Sequence, residues 1–194
     1  MAMINTGSKW YADASAGNLP CSFKFICNEI FTPAGIQVSE ACREYESDEY
    51  GAAQFHLNGQ RAVFRQAKRT PKKVGQFVTL WKRETPASEI APLDASDDIE
   101  WVIIASDEGA RCGVFLFPKA VLIKKGIFSR QHIGGKRAFR VYGPWTTPTA
   151  NQAQKTKKWQ NDYFYEFVEG KMEETIYQIN SRVRDRSGVG VIPK

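Results

Sequence analysis

The sequence predicts an α+β domain in which an antiparallel or mixed central sheet is flanked by helices. Alternating runs flank Asn58-Gly59, and Asn-Gly is the strongest short-range hairpin signal because both central residues of a type I′ turn need positive φ. Two apolar runs, WVIIAS and CGVFLF, predict a second and more central hairpin. Apolar residues recur at helical spacing near both ends of the chain.

The other segments fit around these two hairpins. The predicted elements are a helix over 19–30 capped by Asn18, a second helix from Ser39, a strand over 77–82, an acidic crossing over 85–100, a short helix after Pro118, a strand after the Gly134-Gly135 hinge, and closing helices over 150–167 and 172–183. Residues 1–17 are expected to form a loose lead-in, and residues 171–194 an appended helix and tail, to one domain of 194 residues.

The two-residue turn also fixes the register of the first hairpin. Leu57 faces Gln60, and counting outward places Glu49 opposite Lys68. One face then carries an apolar strip that ends in a carboxylate, an amide and a lysine, namely Glu49, Gln66 and Lys68. The other face, with Gln54, His56, Arg61 and Arg65, is expected to be solvated.

Charge is distributed in blocks along a chain whose net charge is +6. Residues 61–83 and 109–142 carry 8 basic and no acidic side chains each, whereas residues 84–108 carry 8 acidic and no basic ones. Such blocks favour a polarised surface that suits a polyanion. The four cysteines lack disulfide or zinc spacing and are interpreted as reduced, mostly buried thiols. No run is apolar and long enough to span a membrane, so we expect a cytoplasmic protein without a membrane partner.

The trio Glu49, Gln66 and Lys68 is the first candidate site. Metal-dependent nucleases need hard oxygen ligands for Mg²⁺ or Mn²⁺ and a cation that offsets charge developing on the phosphate. Glu49 and Gln66 would bind the metal, and Lys68 would hold the nucleophile or the scissile phosphate. The alternative is a cross-strand Glu49–Lys68 ion pair worth under about 1 kcal/mol.

Clustered basic residues form the second candidate site, because phosphate contact needs grouped Lys and Arg. The predicted nucleic-acid-binding residues are Arg69, Lys72, Lys73, Arg130, Lys136, Arg137 and Arg140. The alternative is a solvated face with no partner.

Two resemblances follow from these residues. A carboxylate entering one strand and Gln66-Ala67-Lys68 leaving the next resemble the PD-(D/E)xK restriction-endonuclease-like superfamily. The segments EYGA, RQAKRTPKKVGQFVTLWKR, GVFLFPKAVL, GKRAFRVYGPW and QAQKTKKWQNDYF, in that order, resemble the MepB family of small bacterial proteins over about residues 46–164. This resemblance implies a restriction-endonuclease-like fold that associates with DNA.

The sequence therefore favours a DNA-binding protein with a nuclease-like core that hydrolyses phosphodiesters with a metal ion. One alternative is a non-catalytic module that binds single- or double-stranded DNA. Another is a protein-interaction adaptor whose basic face meets an acidic partner.

Overall fold

A computed structural model describes residues 18–44 and 46–187, so the predicted 1–17 lead-in lies outside the described residues. The strands there are β1 (Val38–Arg43), β2 (Ala53–Leu57), β3 (Gln60–Gln66), β4 (Lys68–Thr70), β5 (Lys73–Thr79), β6 (Trp81–Lys82), β7 (Ala91–Pro92), β8 (Trp101–Glu108), β9 (Arg111–Pro118), β10 (Ala138–Val141) and β11 (Phe164–Phe167). The α-helices are α1 (Cys21–Ile26), α2 (Lys119–Lys124), α3 (Asn151–Asn161) and α4 (Met172–Ser187). A π-helical turn, Cys27–Phe31, continues α1, and a 3-10 turn, Asp48–Tyr50, precedes β2.

A six-stranded mixed sheet, the main sheet, has the order β1-β2-β3-β8-β9-β11. The two predicted hairpins form its centre. Leu57 pairs with Gln60 as predicted, with φ values of 49° at Asn58 and 78° at Gly59. β3 then pairs parallel with β8, and β8 pairs antiparallel with β9. The predicted α+β class with a mixed sheet is confirmed.

Both faces of the main sheet are buried, each in its own apolar core. One core packs α1, the π-helical turn and α4 against side chains such as Phe55, Phe64 and Leu116. The other core, around Val63, Ile104 and Phe117, is closed by α2 and by a second, smaller sheet. In the part of the chain described, no helix is long and apolar enough to cross a membrane.

The smaller sheet has the order β10-β5-β4. Its strands β4 and β5 lie within the crossover between β3 and β8, whereas β10 follows α2. Its inner face sends Val78, Phe139 and Val141 into the second core. Gln76 joins the two sheets, because its amide nitrogen donates to the Asp107 carbonyl oxygen at 2.5 Å. The outer face is left free of this packing, and it carries the basic residues described below.

Two predicted helical segments are strands in the structure. The helix expected from Ser39 is strand β1, whose Val38 pairs with Leu57. A bulge between Ser39 and Cys42 shifts the register of this strand, and Glu40 within it has a φ of 52°. The helical face predicted past residue 161 becomes β11, which pairs with β9. Both strands lie at the edges of the main sheet, where the unpaired backbone of β2 and β9 overrides a local helical pattern.

The hairpin face predicted to be solvated is largely covered. Arg65 is only 3% exposed and forms an ion pair with Glu44, whose carboxylate oxygen lies 2.7 Å from its guanidinium. Val63, on the same face, belongs to the second core. The cysteines are free, as expected, but of the four only Cys27 is buried.

Candidate nucleic-acid interface

A row of three side chains crosses the outer face of the small sheet. Lys68 pairs with Phe77 in one ladder, and Phe77 pairs with Arg140 in the other. Directly paired residues share a face, so a lysine and an arginine flank one aromatic ring. Lys68 Nζ lies 5.0 Å from the centre of the Tyr50 ring, and the Arg140 guanidinium lies 5.8 Å from that of Phe77. Both cations are held over aromatic faces, which helps to fix their position.

Arg140 also organises the tip of the β4–β5 hairpin. Its guanidinium donates to Thr70 Oγ1 at 2.7 Å and to the Gly75 carbonyl oxygen at 2.9 Å. These acceptors are neutral, so Arg140 retains its net charge. The tip carries the exposed Lys72 and Lys73. Arg69, on the opposite face, lies 3.9 Å from the Glu108 carboxylate.

A groove of about 500 Å³ continues the outer face between β10 and α3. Its cations are Lys125, Lys136, Arg140 and Lys155, and no described residue that lines it is acidic. Trp159, one helical turn after Lys155, forms part of the wall and has Lys125 Nζ 5.4 Å from its ring centre. The groove is therefore a concave, positively charged surface with an aromatic wall.

Ion pairs are concentrated elsewhere on the molecule. Within residues 18–44 and 46–187, none of the four groove cations forms an ion pair. A second pocket, of about 450 Å³, lies on the same side of the main sheet near β2 and β3. Its charged side chains all pair, in the combinations Glu44–Arg65, Glu46–Arg83, Asp97–Lys82 and Asp98–Arg61. That pocket is internally neutralised, whereas the groove is not.

The predicted basic residues divide between these surroundings. Lys72, Lys73, Lys136 and Arg140 lie on the small sheet's outer face, at its tip or in the groove. Arg130 and Arg137 are exposed in the connection between α2 and β10. Lys125 and Lys155 were not among the predicted basic residues. The run KTKKW on one amphipathic helix is a signal that could have found Lys155.

The predicted trio is brought together only in part. Glu49 lies in the 3-10 turn rather than in a strand, yet its carboxylate is 3.2 Å from Lys68 Nζ. Gln66 ends β3, and its side-chain oxygen accepts a hydrogen bond from Ser22 Oγ at 3.1 Å. Burial and the Glu49 carboxylate raise the pKa of Tyr50, and Lys68 opposes this. The trio is thus an exposed ion pair beside an amide that is bonded to α1.

These donors do not make a complete metal site. Glu49 is the one carboxylate of the trio, and Lys68 already offsets its charge. Among the described residues, no group of three or more His, Cys, Asp or Glu is placed to hold a metal ion. Mg²⁺ sites in proteins draw on carboxylate oxygens together with substrate phosphates. The arrangement supports electrostatic contact with phosphate better than it supports metal binding.

Fold and surface together define a mixed α+β domain with a basic groove whose cations form no ion pair among the described residues. Residues 44–166 match the MepB-like family model, which covers more than half of the chain. The chain belongs to the MepB-like family. It is also similar to a solved crystal structure of MepB, with 32% sequence identity and a TM-score of 0.64, over 68% of this chain and 88% of that one. No match was found among curated proteins.

Proposed function

We propose that this protein binds DNA through a basic face made of the small sheet's outer side, its hairpin tip and the adjoining groove. The basic face comprises Lys68, Lys72, Lys73, Lys125, Lys136, Arg140 and Lys155. The observation that carries the proposal is the groove, which is lined by four cations and by no acidic side chain among the described residues. Concentrated positive charge of this kind suits a phosphate backbone.

The aromatic side chains of this surface also support DNA binding. Phe77 and Trp159 lie beside cations, as in proteins that combine backbone contacts with base or sugar contacts. An acidic protein partner would also be attracted by the charge, but it would give a weaker dependence on salt than the release of condensed counterions from DNA. Salt dependence therefore separates DNA binding from an adaptor role.

The test is fluorescence anisotropy of labelled single- and double-stranded oligonucleotides, measured over a range of salt concentrations. Four to six phosphate contacts should make log K fall against log salt with a slope of roughly −4 to −5. The triple variant Lys125→Ala, Lys136→Ala, Lys155→Ala should reduce that slope by about 2 to 3. Absent or salt-insensitive binding by the unaltered protein would contradict the proposal.

A matched control removes positive charge from the opposite side of the main sheet. Lys171 and Arg184 are exposed, and Arg184 lies on α4, which packs against the first core. The double variant Lys171→Ala, Arg184→Ala should leave the slope near that of the unaltered protein. An equal loss of slope per charge removed in this control would indicate a net-charge effect rather than a defined surface.

A second candidate function is phosphodiester hydrolysis on a restriction-endonuclease-like core. The observation that favours it is the Glu49–Lys68 contact of 3.2 Å at the edge of the basic face. The order of a helix, three antiparallel strands and a crossover to a parallel strand supports the same core. Incubation of labelled DNA with Mg²⁺ or Mn²⁺ tests it. Cutting that is lost in Lys68→Ala would support hydrolysis. Binding without cutting would instead support a non-catalytic DNA-binding module.

A further inference from the structure

The connection between α2 and β10 presents an apolar side chain at the edge of the basic face. Ile133 is 77% exposed, the highest value among the exposed large apolar side chains described. Scattered apolar side chains are normal on protein surfaces, so exposure alone decides nothing. The backbone that carries Ile133 is what distinguishes it.

Ile133 closes a tight turn that is built from unfavourable residues. The Arg130 nitrogen donates to the Ile133 carbonyl oxygen at 3.2 Å, and the Ile133 nitrogen donates back to Arg130 at 3.0 Å. The two residues between them, Gln131 and His132, have φ values of 51° and 61°. This left-handed conformation is uncommon for residues other than glycine, and such strain persists only where the surroundings impose it.

A buried carboxylate imposes it here. Asp94 is 1% exposed, and its Oδ2 accepts the His132 backbone N–H at 2.9 Å and the Ser129 hydroxyl at 2.7 Å. Its Oδ1 accepts both the backbone N–H and the hydroxyl of Ser96. The turn is therefore attached at its base and its middle, and Ile133 is presented on a rigid support.

Basic residues precede and follow this apolar tip along the chain. Arg130 is within the turn, and Lys136, three residues after Ile133, lines the groove. Three residues of extended chain span about 10 Å, so the tip adjoins the basic face. Proteins that deform duplex DNA use this combination, an apolar wedge inserted between base pairs with basic side chains on the flanking phosphates.

We propose that Ile133 is a wedge that enters the base stack of duplex DNA held on the basic face. This inference rests on the proposed DNA binding and adds to it the form of the substrate, a duplex that is locally unstacked. Pyrimidine–purine steps such as TA should be preferred, because they are the easiest to open.

The test uses a duplex with 2-aminopurine beside a central TA step, because the fluorescence of this base rises when it is unstacked. Saturating full-length protein should raise the fluorescence several-fold. Ile133→Ala should abolish the rise while keeping the salt dependence of binding, and Ile133→Leu, which keeps an apolar side chain of similar volume, should restore it. Tyr177→Ala is the matched control, since Tyr177 is 74% exposed on α4.

The possible results separate failure of the wedge from failure of DNA binding. If the unaltered protein binds no DNA, the proposed function and the wedge both fail. If it binds the duplex with an unchanged 2-aminopurine signal, or if Ile133→Ala gives the same rise as the unaltered protein, the wedge is wrong and DNA binding stands. Binding to phosphatidylserine vesicles that requires Ile133, with no 2-aminopurine response, would also overturn the wedge.

Discussion

Arg65 shows how much a single side chain depends on its partner. Burial lowers the pKa of its guanidinium, and the Glu44 carboxylate opposes this effect. Arg65 also donates to the Phe64 carbonyl oxygen at 2.8 Å. A buried ion pair adds little net stability, but removing one partner leaves an uncompensated charge.

We therefore expect Glu44→Gln to lower the free energy of unfolding by about 3 kcal/mol. Asp98→Asn is the control, because Asp98 is exposed and lies 4.0 Å from the Arg61 guanidinium; it should cost under about 1 kcal/mol. Urea denaturation of both variants measures the difference. Equal losses would show that the Arg65 charge is solvated.

Asp94 should make the stability of the fold depend on pH, and the hydrogen bonds to its carboxylate set the direction of this dependence. The Ser129 hydroxyl, followed by the donors on Ser96 and His132, holds the pKa of Asp94 well below its usual range. A carboxylate with a depressed folded-state pKa contributes stability that is complete above its unfolded pKa of about 3.9. That stability is lost as the pH falls toward the folded-state value.

The Tm of the unaltered protein should thus fall more steeply below about pH 4 than that of Asp94→Asn, in which this group cannot titrate. Thermal denaturation between neutral and acidic pH measures both slopes. Parallel curves would mean that Asp94 titrates alike in the folded and unfolded states.

At the residue scale, the sequence predicted contacts that a turn dictates and missed those that tertiary packing creates. The Asn58-Gly59 turn fixed the pairing of Leu57 with Gln60 correctly. The same alternation placed Arg65 on a solvated face, because nothing in the hairpin sequence shows that Glu44 and a second core cover it. The Glu49–Lys68 contact was expected across a ladder and occurs through a 3-10 turn.

Strand β11 is the element most sensitive to one position on its neighbour. A Cβ added at Gly113 would lie 2.4 Å from the Tyr165 carbonyl oxygen and 2.4 Å from the Phe164 ring. The oxygen belongs to the backbone and cannot move without shifting β11. Glycine permits this close approach of two strands.

Gly113→Ala should therefore lower the free energy of unfolding by roughly 1 to 3 kcal/mol and increase hydrogen exchange in β11 more than in β8. The neighbouring change Cys112→Ala should have little effect, since it shortens a half-buried side chain. Heat denaturation and amide exchange measure the two variants. If hydrogen exchange in β11 is unchanged, the lost stability does not come from the contact between Gly113 and β11.

Arg140 ties together the hairpin that carries Lys72 and Lys73. Arg140→Lys keeps the charge but cannot reproduce a guanidinium that reaches both Thr70 Oγ1 and the Gly75 carbonyl oxygen. We expect faster amide exchange at the hairpin tip and a loss of about 1 kcal/mol. Thr70→Val, which removes one acceptor, should give a smaller change in the same direction. Equal exchange in Arg140→Lys and the unaltered protein would contradict this role.

Elements were predictable where local pattern and tertiary pairing agree. The β8–β9 hairpin and α4 follow their sequence periods. The edge strands β1 and β11 do not, since each is completed by backbone pairing, β1 with the following strand β2 and β11 with the more distant β9. The groove was unpredictable for a similar reason, because Lys125 and Lys155 meet only after α2 and α3 fold onto the second core.

At the scale of the whole molecule, charge is sorted by surface. The acidic side chains of the neutralised pocket all pair with basic ones, and the cations of the groove are left without such partners among the residues described. The alternation of charge blocks along the chain predicted a polarised surface. The order of the strands in the folded sheets determines which of these charged segments is exposed on the surface.

The parallel pairing of β3 with β8 has one more consequence, because residues 67–100 lie between these two strands and supply two of the three strands of the small sheet. The surface that we expect to hold DNA cannot assemble unless this long-range pairing forms. A bound oligonucleotide should therefore stabilise the whole fold against unfolding. At 100-fold over its Kd it should add about 2.7 kcal/mol to the free energy of unfolding, measurable as a rise in Tm that high salt abolishes. Cleavage of the polypeptide within residues 67–100 should then abolish both DNA binding and folding.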